Sequence, residues 1–252
     1  MERAAILAAT ALLSAALVAP GAYAARHASI PKYITGAVAD KARPAADTER
    51  DANRKPAETL AFAGIKPGDA VVELAPGKGY YTRLLSAVVG PKGSVTTVSS
   101  VPKPDGPPPP VKAIAEDPHY ANLHPTFQKV GELTLPSNSD VVWTTQNYHD
   151  FHNIPEVDVP SLNKKVFDAL KPGGIYFVLD HAAEAGSGAR DTNTLHRIDE
   201  ETVKQEVKAA GFELAGESDE LRNKDDPHTA KVFEGPIQGH TDQFMLKFRK
   251  PK

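Results

Sequence analysis

The sequence predicts an α/β domain: a seven-stranded, mostly parallel sheet with helices on both faces. Three observations carry this. Short β-branched runs alternate with helical patterns from residue 48 onward, the signature of parallel strands joined by crossover helices. The segment DAVVELAPGKGYYT (residues 69–82) reads as a buried strand feeding a glycine-containing turn that opens a helix. The chain closes on two apolar runs, 212–217 and 243–248, separated by a long loop.

The elements follow in order. Residues 48–63 have helical spacing, and Gly64 supplies a natural stop. The first strand is 70–74. Tyr81, Leu84, Leu85 and Val88 then share one face of a helix that Gly90-Pro91 ends. A Val/Thr-rich strand covers 94–98. The segment VPKPDGPPPP (101–110) is a polyproline-like loop, either a spacer or a lid, because proline lacks the N–H a ladder needs. A short helix falls within 111–122, and strands are expected at 126–130 and 140–144. A helix over 160–169 leads through Leu170-Lys171-Pro172-Gly173-Gly174 into a strand at 175–179. Asp199 caps a helix that runs to Ala210 and stops at Gly211.

Composition bounds the function. The 252 residues carry 29 basic and 32 acidic side chains, interspersed, for a formal charge of −3. No basic stripe points to nucleic acid. There is no cysteine, hence no disulfide and no lipoprotein anchor. Residues 1–24 have Arg3, an apolar run over 4–19 and a small-x-small site at Ala22-Tyr23-Ala24. They read as a secretory signal peptide, with an uncleaved anchor as the alternative. The expected organisation is a signal peptide at 1–24, a linker or loosely docked arm at 25–46, and one domain at 47–252. The expected setting is periplasmic or secreted, without a stable membrane anchor.

The turn after the first strand lacks the outer glycines of the dinucleotide fingerprint, since Ala75 and Thr82 stand in their places. The E-x-x-x-G-x-G spacing of Glu73, Gly77 and Gly79 instead resembles the first motif of class I S-adenosylmethionine-dependent methyltransferases. LKPGGIYFVLDH and VKQEVKAAGFEL resemble later segments of that family. With DANRKPAETLAFAGIKPG, NYHD, LHRIDEETV and DQFMLKFRKP, the chain is similar to a group of exported bacterial proteins described as predicted methyltransferases. The resemblance implies the Rossmann-like class I methyltransferase fold, with the last strand inserted antiparallel beside the fifth. It implies S-adenosylmethionine as cofactor and methyl transfer to a small hydroxyl, amine or thiol acceptor. The cofactor-binding residues it implies are Glu73, Ala75, Gly77, Gly79, Tyr80, Ser99, Glu132 and Asn147. Where the family usually places a ribose-binding carboxylate after the second strand, this chain has Val98-Ser99-Ser100. A non-catalytic domain binding another small, nucleoside-like ligand is therefore the alternative.

Ligands of such a sheet sit beyond the carboxyl ends of its strands. Polar groups there are His149 and Asp150 after the fourth strand, Asp180 and His181 after the fifth, and His196 in the following loop. His149, His181 and His196 are the candidate bases, with Asp150 or Asp180 as the orienting acid. Each also has a bland role, as a loop or backbone anchor. His149, Asp150, His152 and His181 form no closed metal-ligand set in sequence, and no metal is expected.

Overall fold

The computed structural model describes residues 29–129 and 132–252. The signal-peptide reading of 1–24 lies outside them. Four short helices, α1 (Lys32–Val38), α2 (Ala45–Thr48), α3 (Asp51–Arg54) and α4 (Pro56–Ala63), precede the sheet. Then come β1 (Ala70–Leu74), α5 (Tyr80–Val89), β2 (Ser94–Ser100), α6 (Pro110–Glu116), β3 (Leu123–Gln128) and β4 (Ser139–Thr145). The chain continues with α7 (Tyr148–Phe151), α8 (Val159–Ala169), β5 (Leu170–His181), α9 (Glu200–Ala209), β6 (Glu213–Ser218) and β7 (Gln243–Arg249). The strand order is β3-β2-β1-β4-β5-β7-β6. The first five strands are parallel, and β7 runs antiparallel between β5 and β6. The fold class matches the sequence reading, including the antiparallel strand beside β5.

The period of two along each strand builds two cores on opposite faces of the sheet. Val71, Val141, Trp143, Phe177 and Met245 pack with Ile34, Leu60, Leu84 and Val88 of the helices on one face. Val72, Leu74, Val142, Tyr176, Val178 and Leu246 pack with Val166, Val203 and Val207 on the other. Trp143 and Phe177 stack with centroids 4.1 Å apart, joining neighbouring strands through paired side chains.

Four boundaries differ from the expectations, each for a local reason. The segment 48–63 is three helical pieces, not one. Pro56 disfavours helical backbone at Lys55, which adopts φ +40° and breaks the run. The arm expected at 25–46 is firmly docked from α1 onward: Ile34 and Ala37 enter the core, and Arg43 forms a two-pronged pair with Asp51 at 2.7 and 2.8 Å. The third strand starts earlier, at Leu123, and carries Pro125 because it is an edge strand with one side free of pairing. The strand at 175–179 extends from Leu170 to His181.

Gly93 shows how tightly β2 enters the sheet. An added Cβ there would lie 2.6 Å from the Asp69 carbonyl oxygen and 2.6 Å from Val89 Cβ. Gly36, in α1, has open space instead. We expect Gly93→Ala to lower stability by about 1–3 kcal/mol through overpacking. Gly36→Ala should raise it by roughly 0.5–1 kcal/mol through helix propensity. Denaturant unfolding of the two variants checks both signs.

Candidate functional site

A cavity of about 590 Å³ opens at the carboxyl ends of β1, β2 and β4. Its floor is the turn after β1, where Ala75 and Gly77 take left-handed backbone at φ +50° and +57°. The Ala75 N–H donates to Val98 O at 2.9 Å, so the turn closes over the end of β2. A Cβ added at Gly77 would meet nothing within 4 Å; the backbone faces open space. Ala75, Gly77, Ser99 and Asn147, all expected at a cofactor, line this cavity. Asn147 Nδ2 also donates to the carbonyls of Ala75 and Thr145, at 3.0 and 2.6 Å, tying the β1 turn to the end of β4.

The other four residues expected there stand elsewhere. Glu73 lies buried beneath α5, where its Oε2 accepts from Thr82 Oγ1 at 2.6 Å. Burial pushes its pKa up to about 8, against the opposing effect of the Thr82 hydrogen bond. Gly79 caps α5 and packs against Ile114 of α6. Tyr80 donates to Asp51 at 2.6 Å and lies beneath the guanidinium of Arg54, 4.6 Å from the ring centroid. Glu132 is exposed and pairs with Lys129 at 3.3 Å. Strand alternation explains Glu73: it shares a face with Val71 and points into the helix layer. The walls that sequence reasoning missed, such as Leu133, Phe151 and Leu162, are ordinary apolar residues that only the fold brings together.

Behind this cavity a polar cluster forms where β4 and β5 end. Asp180 is fully buried and accepts three N–H bonds. These come from the His149 backbone at 2.8 Å, His149 Nδ1 at 2.7 Å and the His181 backbone at 2.7 Å. Burial opposes a charge on His149, but the Asp180 and Asp150 carboxylates outweigh it and push the pKa up to about 10. Burial pulls the His181 pKa down to about 4 against the opposing pull of Asp180, and the positive charges of His149, Arg197 and Arg54 act in the same direction as burial. The neighbouring rings, with centroids 6.1 Å apart, thus differ in charge at neutral pH. His149 enters as an imidazolium, which disfavours the role of neutral-pH base that its position first suggests. His196 packs edge-on to His149 at 5.5 Å with its own backbone at φ +56°. His152 turns away and pairs with Glu206 at 3.2 Å.

A second, smaller cavity of about 250 Å³ is lined by Arg50, Arg54, Gln146, His181, Phe233 and Gln243, among others. Gln146 at φ +58° and Asn147 are consecutive, yet they line different cavities. Arg54 donates to Gln146 Oε1 at 2.7 Å and has no carboxylate partner among the described residues. Gln146 in turn donates to Gln243 Oε1 at 3.1 Å. A guanidinium without a counter-ion at a cavity wall has the chemistry to pair with an anionic group.

No family model matches the sequence. No curated protein matches it either. Solved structures do match in shape. An S-adenosylmethionine-dependent methyltransferase from Mesorhizobium loti is 16% identical, with a TM-score of 0.56 over 80% of this chain and all of the other. One from Aquifex aeolicus is 16% identical, with a TM-score of 0.54 over 76% of this chain and 87% of the other. The [4+2]-cyclase SpnF is 17% identical, with a TM-score of 0.57 over 86% of this chain and 91% of the other. The fold is therefore the Rossmann-like fold of class I methyltransferases. At these identities the likeness establishes the fold alone, and the reaction has to be argued from the site.

Glu73 yields a pH prediction. A carboxyl whose folded pKa is raised from 4.5 to about 8 contributes stability that is full below pH 4.5 and lost as pH rises towards 8. Glu73→Gln should remove that dependence. Relative to the natural protein, the variant should gain on the order of a few kcal/mol between pH 5 and pH 8. Urea unfolding at both pH values measures it.

Proposed function

We propose that this chain is a methyltransferase that binds S-adenosylmethionine in the larger cavity and a small acceptor in the smaller one. The observation that carries the reading is the pair of cavities divided by consecutive residues Gln146 and Asn147, the larger built on the left-handed turn after β1. The larger cavity fits the cofactor's parts. Leu74, Val98, Leu133 and Phe151 offer apolar walls for a base, and Ser99 and Ser100 offer hydroxyls for a ribose. Gly77 leaves room for close approach of the ligand to the backbone. When bound, S-adenosylmethionine supplies a methyl group already activated on a sulfonium.

The chain's own residues then supply position. His181 presents its imidazole to the acceptor cavity and is held by Thr241 Oγ1 at 2.7 Å from Nδ1. Arg54 offers the acceptor a fixed positive charge, and Gln146 and Gln243 offer directional hydrogen bonds. The reading takes the acceptor as a small molecule bearing a hydroxyl, amine or thiol. It places the protein outside the cytoplasm, on the strength of the leader read in residues 1–24. Ser99 favours a second reading, a binding domain without catalysis, because a hydroxyl forgoes the charge-assisted ribose contact that a carboxylate makes.

Calorimetric titration with S-adenosylmethionine and its demethylated product tests the cofactor half. We expect both to bind the natural protein. Gly77→Asn should weaken them at least about tenfold while the melting curve stays native, because asparagine tolerates left-handed backbone and its side chain fills the cavity. Native titration heats in the folded variant would move the site away from this turn.

The location is tested separately. N-terminal sequencing of protein recovered from the exporting host should find a mature start near Ala25. An intact Met1 in a membrane fraction would replace the cleaved leader with an anchor.

A further inference from the structure

We propose that His149, Asp150 and His196 form a three-ligand site for a zinc-class dication, oriented from behind by Asp180. This goes beyond the proposed methyl transfer, and its test reads metal and not nucleoside.

Three independent observations converge. First, one ligand atom from each residue lies within 4.8 Å of the others. Asp150 Oδ1 is 3.2 Å from His149 Nε2 and 3.5 Å from His196 Nδ1. Metal–ligand bonds of about 2.0–2.1 Å at tetrahedral angles put neighbouring ligand atoms about 3.3 Å apart. Octahedral angles at the same bond length would bring them to about 3.0 Å. The two spacings to Asp150 Oδ1 bracket the tetrahedral value.

Second, His149 Nε2 is a buried nitrogen with no hydrogen-bond partner, on a side chain only 2% exposed. Buried polar atoms are almost always satisfied, so an orphan aimed at two other donor groups marks a missing partner. Asp150 Oδ1 is near it but not aligned to bond with it.

Third, the opposite nitrogen is fixed. Nδ1 of His149 is held by the fully buried Asp180 at 2.7 Å. A carboxylate on the far side of an imidazole fixes the ring's orientation and aims Nε2 at a metal, and a dication binding there displaces the proton that the imidazolium carries on that nitrogen. Two carboxylates beside one ring also give the locus the negative charge that a dication needs.

His196 completes the set at a positive φ that costs a non-glycine residue energy, and such strain persists where a function holds it. Two imidazoles and one carboxylate suit zinc, and three protein ligands leave a fourth position open. His181 and Phe233, whose rings pack against His149 and His196, both line the smaller cavity. The site therefore lies against the wall of the proposed acceptor pocket.

The test uses the full chain, stripped with a chelator and then titrated with zinc alone, with cobalt as a spectroscopic probe. The expected result is one equivalent per chain and the intense visible absorption of four-coordinate cobalt. His196→Asn, chosen because asparagine accepts the same backbone, should abolish that spectrum with an unchanged melting curve. Asp180→Asn should weaken zinc about 10–100-fold. His119→Ala, an exposed histidine paired with Asp40, should change nothing. No zinc uptake by the folded chain, or an unaltered cobalt spectrum in His196→Asn, would overturn the proposal. Should Asp180→Asn fail to fold, the half-exposed His196 variant decides alone.

Discussion

The rim of this domain hangs on one buried carboxylate. Asp180 ends β5 with no exposure to solvent, and an unpartnered charge there would cost several kcal/mol. Its three N–H donors come from His149 of α7, just after β4, and from the strand end itself. Satisfying them fixes the start of α7, the ring plane of His149 and the backbone of His181 together. The register makes this possible: Thr145 pairs with Leu179, so β5 projects beyond the point where β4 bends away. The bend at Gln146 then sends alternate side chains into separate cavities.

Much of this was legible in the residues. The alternation of strands and helices, the turn at Ala75–Gly79 and the cap at Asp199 are local features, and local chemistry dictates them. The convergence of His149, Asp180 and His181 was legible too, given the rule that strand ends gather on one edge. Other features depend on what lies across the fold. Tyr80 follows the motif's glycines, yet Asp51 and three arginines of the segment before the sheet surround it. Glu73 sits in the motif, but its strand parity turns it away from the cavity. Arg54 meets Gln146 from 92 positions away, and Gln146 and Gln243 are about 100 positions apart in the chain. No periodicity joins residues that meet only through the order of strands.

The sequence also held a tension that the geometry makes concrete. The turn after β1 keeps left-handed backbone even with alanine at position 75. The end of β2 keeps only serine hydroxyls. Scaffold and ligand contacts are separable, and a fold shared with a cyclase as well as with methyltransferases makes the same point.

The placement of β7 carries a kinetic consequence. β6 pairs only with β7, which is made 24 residues later, after the segment 219–242 has been synthesised. Until β7 arrives, β6 is an unpaired strand and β5 has an open edge, both with free backbone groups. The five parallel strands can pair first, and the free edge of β5, the strand that bears Asp180 and His181, closes last. Such late, non-local pairing slows folding and prolongs exposure of sticky edges. A nascent chain of this topology stays unclosed until β7 is made, the state in which a polypeptide threads through a narrow channel or engages a chaperone.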